Sequence, residues 1–165
     1  MAGEGNLGRI LERDALIQRI QELKQAGKRI VFTNGCFDIL HPGHIRYLQE
    51  ARSLGDVLVV GVNSDRSVRE LKGPQRPILT EQERCLLLSG LESVSYATVF
   101  DEPTPLALIR SVLPHVLVKG GDWGLSEIVG REEVEAGGGT VTSLPYENGQ
   151  STSGIIERIL SRYRP

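Results

Sequence analysis

The chain has 165 residues with 19 Lys+Arg against 21 Asp+Glu, a formal net charge of -2, so no sequence-wide positive field exists to hold a nucleic-acid backbone. With 39% hydrophobic and 24% charged residues it is too apolar for a disordered chain, and its 5% aromatic content argues against a base-stacking surface. A chain of this length needs one core, burying about two-thirds of its unfolded surface.

Near the N-terminus, Glu4, Glu12 and Asp14 interrupt the apolar run a secretory signal needs, so export is not expected and the cytoplasm is the default. Leu16, Ile17, Ile20 and Leu23 recur at helical spacing and Gly27 stands where that helix stops. This predicts a helical lead-in over residues 1–27, ahead of a domain over 28–165. Ile30-Val31-Phe32 reads as a strand ending at Asn34-Gly35, and Ile45, Leu48 and Ala51 return to a helical period that Gly55 closes. Val57 to Val62 is the near-continuous apolar run of a parallel strand covered on both faces. This run and Leu86 to Leu88 fall far short of the roughly 20 residues of a membrane span.

Thr80 and Glu83 form a capping-box signature, and Leu86, Leu87 and Leu91 are expected to supply the buried stripe of the helix that follows. Ser95 to Phe100 predicts a strand, Thr104-Pro105 a helix start, and Val116-Leu117-Val118 a strand that Gly120-Gly121 ends. Thr140 to Leu144 is the fifth strand, and Ser151-Thr152-Ser153 opens a last helix whose buried stripe is Ile155, Ile156, Ile159 and Leu160. The alternation predicts a single-domain doubly wound α/β fold: a Rossmann-like five-stranded parallel sheet in three α/β/α layers. Ligands of such sheets bind beyond the carboxyl ends of the strands, at the switch point.

The chemistry-bearing residues fall in those loops. After the first strand come Asn34-Gly35-Cys36-Phe37-Asp38 and then His41-Pro42-Gly43-His44. Gly43 lets backbone approach a ligand, and His44 falls at a helix start, where the partial positive charge attracts anions such as phosphate. A Pro-Gly turn between two surface histidines would give the same letters; the strand before it and the helix after it favour the functional reading. Ser151, Thr152 and Ser153 offer hydroxyls in one helical turn, of which capping needs only one. Two helix N-termini at one sheet edge form two anion clamps for a shared polyphosphate, and no Walker-type loop is present. Lys119-Gly120-Gly121-Asp122 follows the fourth strand, with a cation for phosphate, a backbone open to a nucleobase edge, and a carboxylate for ribose or base. Asn63-Ser64-Asp65 and Lys72 to Pro77 form a second polar set suited to an acceptor, although Lys72, Arg76 and Arg84 alone read as solvated surface charges. His115 reads as structural. Cys36 and Cys85 lack a CxxC or CxxH neighbour and read as reduced thiols rather than metal ligands.

Through Gly35-Cys36-Phe37-Asp38, His41 to His44 and Ser151-Thr152-Ser153, the sequence resembles the HxGH nucleotidyltransferase superfamily, in its cytidylyltransferase-like branch. Phe32 to His41, Val62 to Asp65, Leu71-Lys72-Gly73, Arg76-Pro77 and Val118 to Asp122 look like the heptose 1-phosphate adenylyltransferases. The resemblance implies transfer of AMP from ATP to D-glycero-β-D-manno-heptose 1-phosphate, giving ADP-heptose and pyrophosphate for lipopolysaccharide core or related glycans. It implies catalytic roles for His41, His44 and Lys72. It implies nucleotide contacts from Asn34, Gly35, Cys36, Phe37, Gly43, Lys119, Gly120, Gly121, Asp122, Ser151, Thr152 and Ser153. Asp38, Asp65, Arg76 and Arg84 are the implied acceptor-binding residues. Many relatives carry Thr at the position of Cys36, so a side-chain hydroxyl contact does not transfer. Family members are often fused to a sugar kinase, which this chain is too short to contain, so a separate heptose kinase is implied, and a homodimer is compatible.

The implied reaction is in-line attack of a sugar-phosphate oxygen on the α-phosphorus. No protein nucleophile or general base is needed, and the protein aligns the groups and neutralises charge. Mg²⁺ would be held mainly by the ATP phosphates, with Asp38 or Asp122 assisting indirectly. A cytidylyltransferase acting on glycerol or ethanolamine phosphate, another adenylyltransferase, and a non-catalytic nucleotide-binding module remain as alternatives, since phosphate recognition does not select the base.

Overall fold

In the computed structural model, residues 9–121, 124, 127–145 and 151–163 are described. The elements run α1 (Arg13–Gln25), β1 (Ile30–Gly35), α2 (Pro42–Ser53), β2 (Val57–Asn63), α3 (Asp65–Lys72), α4 (Glu81–Ser89), β3 (Tyr96–Phe100), α5 (Leu106–Val112), β4 (Val116–Gly120), α6 (Arg131–Ala136), β5 (Thr140–Leu144) and α7 (Thr152–Tyr163). The five strands form one parallel sheet in the order β3-β2-β1-β4-β5. The chain moves outward from β1 to β2 and β3, then returns to β4 on the other side, which places the topological switch between β1 and β4.

Alternation along the strands sends side chains into two cores. Val31, Leu58, Val60 and Val62 join Tyr47, Leu48, Ala51, Cys85 and Leu88 on the α2/α4 face. Ile30, Phe32, Val57, Val59 and Leu117 join Leu16, Ile20, Leu108, Ile109 and Val134 on the face covered by α1, α5 and α6. Every residue of β2 is buried, as its unbroken apolar sequence requires. Leu16 and Ile20 place α1 in the same core as β1. The Ile30 amide donates to His115 Nδ1 at 2.9 Å, which gives His115 a structural role.

The outer helices depart from the periodicity. Thr80 and Glu83 form the expected capping box, but the residues α4 buries are Arg84, Cys85, Leu88 and Ser89, while Leu86 and Leu87 are exposed. A charged residue with three internal partners occupies a core-facing position, which rotates the buried face away from the leucine stripe. The helix after Thr104-Pro105 begins at Leu106, with Pro105 at its N-cap. Two helices carry too few apolar residues to be read from pattern: α3 buries Ser67 and Val68, and α6 buries Val134. Helix α7 forms where expected, but no described residue of it is fully buried, and Ile159 and Leu160 are exposed. Among the described residues, no helix is long and apolar enough to cross a membrane.

Candidate active site

The sheet opens where the site sits. Strands β1 and β2 pair over six residues and β4 and β5 over five, but β1 and β4 pair only at Val31↔Val116 and Phe32↔Leu117. Beyond that point the strands part, and a crevice forms at their carboxyl ends. A cavity of about 130 Å³ there is lined by Asn34, Leu117 and Lys119 together with Pro105 and residues 127–129. Tyr47, from α2, spans the gap: its hydroxyl shares a 2.6 Å hydrogen bond with Thr33 Oγ1 and donates to the Val118 carbonyl at 3.5 Å.

The β1–α2 loop carries the histidines. His41 is the N-cap of α2, and its side chain makes no capping bond. Pro42 fills the first helical position, and Gly43 is buried in the first turn. The two imidazoles stack with centroids 3.8 Å apart and planes 25° apart. Burial lowers both pKa values. That of His44 falls to about 4, with the neighbouring His41 adding to the depression and a hydrogen bond to the Ile39 backbone opposing it. Both rings are therefore neutral at pH 7, each a single N–H donor rather than a cation. The Nδ1 atoms of His41 and His44 are buried without a partner among the described residues, an uncommon state for buried polar atoms that they share with Thr98 Oγ1. On the outer side of α2, Leu40, His41, Pro42, Ile45, Arg46 and Gln49 line a cavity of about 440 Å³.

Cations converge on the end of β1. Cys36 is half-buried, and burial raises its thiol pKa even though Lys72, Arg84 and Arg76 act to lower it, so the thiol stays protonated. Burial lowers the pKa of Lys119, and repulsion from Lys72 adds to the effect. Neither lysine has an ion pair among the described residues. An anion bound beside Lys119 would relieve that repulsion. Gly120 is buried at the end of β4, and Gly121 follows at φ +102, its amide donating to the Leu144 carbonyl at 2.9 Å.

The first turn of α7 adjoins the histidine loop, because Thr152 Oγ1 donates to the Ile39 carbonyl at 3.5 Å. Ser151 acts as a cap, its Oγ accepting from the Gly154 amide at 3.0 Å, and Ser153 is exposed. Asp122 lies outside the described residues.

Of the residues expected to bind an acceptor, Asp38 and Arg84 are committed elsewhere. The Asp38 carboxylate, fully buried, accepts from Arg76 Nε at 2.6 Å and from the Ile78 and Leu79 amides at 2.9 Å. Burial works to raise its pKa, but those two amides and Arg76 outweigh it and hold the carboxyl below its ordinary value. Arg84, expected to be solvent-facing if not functional, is 0% exposed. Its guanidinium donates to the Leu79 and Cys36 carbonyls at 3.1 and 2.7 Å and to Asp65 Oδ1 at 2.7 Å. Asp38 and Arg84 thus spend their charges inside the protein at this edge, while Asp65, with one carboxylate oxygen on Arg84, stays partly exposed. Ser64 caps α3, and Asn63 donates to Ser67. Arg76 spends only Nε on Asp38, which leaves its Nη groups without a partner among the described residues. Tyr47 was not legible as a site residue, because an aromatic on an amphipathic helix carries no mark of the gap it spans.

A doubly wound sheet split at its switch point, with stacked histidines at one helix N-terminus and a hydroxyl-bearing helix start beside them, is the arrangement of an α/β protein of the HxGH type. The chain matches the family model described as Cytidylyltransferase-like over residues 32–158 and belongs to that family. It is 54% identical over 155 residues to the "Bifunctional protein HldE" of Pelobacter propionicus, covering 94% of this chain and 32% of that protein. It is 52% identical over 161 residues to the protein of the same name from Geobacter sulfurreducens, covering 98% of this chain and 33% of that one. The chain therefore spans about a third of the length of these relatives. Among solved structures, the lipopolysaccharide core biosynthesis protein of Thermoplasma volcanium superposes with a TM-score of 0.63 at 32% identity, covering 75% of this chain and all of that one.

Proposed function

We propose that the protein transfers AMP from ATP to D-glycero-β-D-manno-heptose 1-phosphate, releasing pyrophosphate and ADP-heptose. The observation that carries this reading is the stacked, neutral His41–His44 pair, each ring with a buried unpartnered Nδ1, at the N-terminus of α2. The likeness to bifunctional HldE proteins and to a lipopolysaccharide core protein supports the sugar acceptor. In this reading the reaction takes place in the cytoplasm, and a kinase reaction supplies the sugar 1-phosphate.

An oxygen of the sugar phosphate attacks the α-phosphorus in line, and the bond to the bridging oxygen of the leaving pyrophosphate breaks with its electron pair. The attacking oxygen is already ionised near neutral pH, so the protein's work is alignment and charge stabilisation. His41 and His44 donate N–H groups to phosphate oxygens as charge grows there. Lys72 and Lys119 neutralise the triphosphate, and Thr152 and Ser153 with the first turn of α7 hold its far end. Gly35, Cys36, Phe37 and Gly43 border the phosphates with backbone, while Asn34, Gly120 and Gly121 meet the nucleoside at the crevice. The Nη groups of Arg76, without a partner among the described residues, take the acceptor phosphate. Mg²⁺ enters as part of the substrate, chelated by the triphosphate. Asp38, the carboxylate nearest the histidines in sequence, is already committed to Arg76 and two amides.

The test is pyrophosphate release from ATP and from CTP, each with heptose 1-phosphate, glycerol 3-phosphate and ethanolamine phosphate. ATP with heptose 1-phosphate is expected to give product, and His41→Ala or His44→Ala to slow turnover by about 100- to 1,000-fold, the scale of lost oxyanion donors. A product formed only from CTP would replace the adenylyl reading with a cytidylyl one. ATP binding with no product would mark a nucleotide-binding module.

A further inference from the structure

Asp38 and Arg84 are fully buried charges that cross in opposite directions between the same two segments. Asp38 leaves the β1–α2 loop and fastens on Arg76, Ile78 and Leu79. Arg84 leaves α4 and returns to the Cys36 carbonyl, taking the Leu79 carbonyl and Asp65 as well. Between the two anchored positions, 36 and 38, lies Phe37 at φ +46, a conformation that bulky L-residues rarely adopt unless their surroundings impose it.

The anchors reach further than the backbone they touch. In a planar trans peptide the Cys36 carbonyl and the Phe37 N–H point in opposite directions, so a bond fixing the carbonyl on Arg84 also fixes where that N–H points. The Phe37 ring lies over Gly35, where a Cβ would sit 3.0 Å from Cε2. The ring also meets His44 at 5.3 Å between centroids, tilted by 58°, and His44 in turn stacks on His41. Buried ion pairs in general are often replaceable by apolar side chains of similar volume without loss of stability. What two buried charges with three partners each supply instead is direction.

We propose that Asp38 and Arg84 are positioning residues: reciprocal straps on either side of strained Phe37 that hold its ring against His44 and so set the stacked histidine pair. The kinetic part of this inference rests on the proposed adenylyl transfer; the structural part does not.

Two mild substitutions test it. Arg84→Lys keeps the charge but loses the fork that reaches three acceptors, and Asp38→Asn keeps the shape but loses the ionic bond to Arg76. At a temperature where circular dichroism shows the fold intact, the imidazole titration of His44, followed by NMR, is expected to move up from about 4 toward the ordinary histidine value. Turnover should fall about 100-fold, the scale of an ångström's misplacement, while KM for ATP changes by no more than about threefold. Folded variants with unchanged His44 titration and turnover would overturn the proposal. Should both variants unfold, Phe37→Asn decides: it tolerates positive φ, lacks the ring and leaves both charges in place. It is expected to shift the His44 titration in the same direction, and no shift there refutes the assignment. If the wild-type protein releases no pyrophosphate from ATP, the functional reading fails while the NMR arm still decides the positioning.

Discussion

Acidification from pH 7 to pH 4 costs this fold stability through His44. Burial and the adjacent His41 hold its folded-state pKa at about 4, below the ordinary 6.5, so the unfolded chain takes up the proton first. The contribution is fully present above pH 6.5 and drains away as the pH falls toward 4. Linkage gives a loss of about 2 kcal/mol by pH 5 and about 3 kcal/mol by pH 4 from this one ring. Urea unfolding of the wild type and of His44→Gln at pH 7, 6, 5 and 4 isolates the effect. Asp38, Glu102 and other carboxylates with lowered pKa values also release stability in acid, and they cancel in the difference between the two proteins. The stability gap should narrow by that amount across the window. Parallel profiles would mean that His44 is not held neutral, and the picture of two uncharged imidazole donors would fall with it.

Lys119→Met should raise KM for ATP by about 10- to 100-fold, the worth of one hydrogen bond from a charged group, and an unchanged KM in initial-rate kinetics would remove the lysine from the nucleotide site. Gly35→Ala places a Cβ 3.0 Å from the Phe37 ring and should cost about 1–3 kcal/mol by overpacking, read from the urea midpoint. In α4, Leu88→Ala should destabilise by about 2–5 kcal/mol and Leu87→Ala by no more than about 0.5 kcal/mol. Equal losses would return the leucine stripe to the core.

The parallel sheet and the histidine loop were legible because their physics is local. Val57 to Val62 has the composition of a strand buried on both faces, and His41 and His44 stand at a helix start that Pro42 announces. Arg84 and Asp38 were not legible as interior residues, because charged side chains are ordinarily solvated and only their assembled partners make burial tolerable. That one error displaced the reading of α4, whose buried face follows Arg84, Cys85 and Leu88 and passes over Leu86 and Leu87. Helix α3 escaped for a related reason: Ser64 supplies its cap and Val68 its only buried apolar side chain, too little for a periodic signal. The final helix shows the opposite failure, since Ile159 and Leu160 have the right spacing for burial but lie exposed.

The short pairing of β1 with β4 divides the sheet into two leaves, three strands on one side and two on the other, stitched by two residue pairs, the Ile30–His115 hydrogen bonds and the Tyr47 phenol. The histidines ride on the larger leaf and Lys119 on the smaller. A molecule gripping both sides adds its binding free energy at the seam where the backbone supplies least, so a bound occupant would resist separation of the leaves as a rivet resists the opening of a joint.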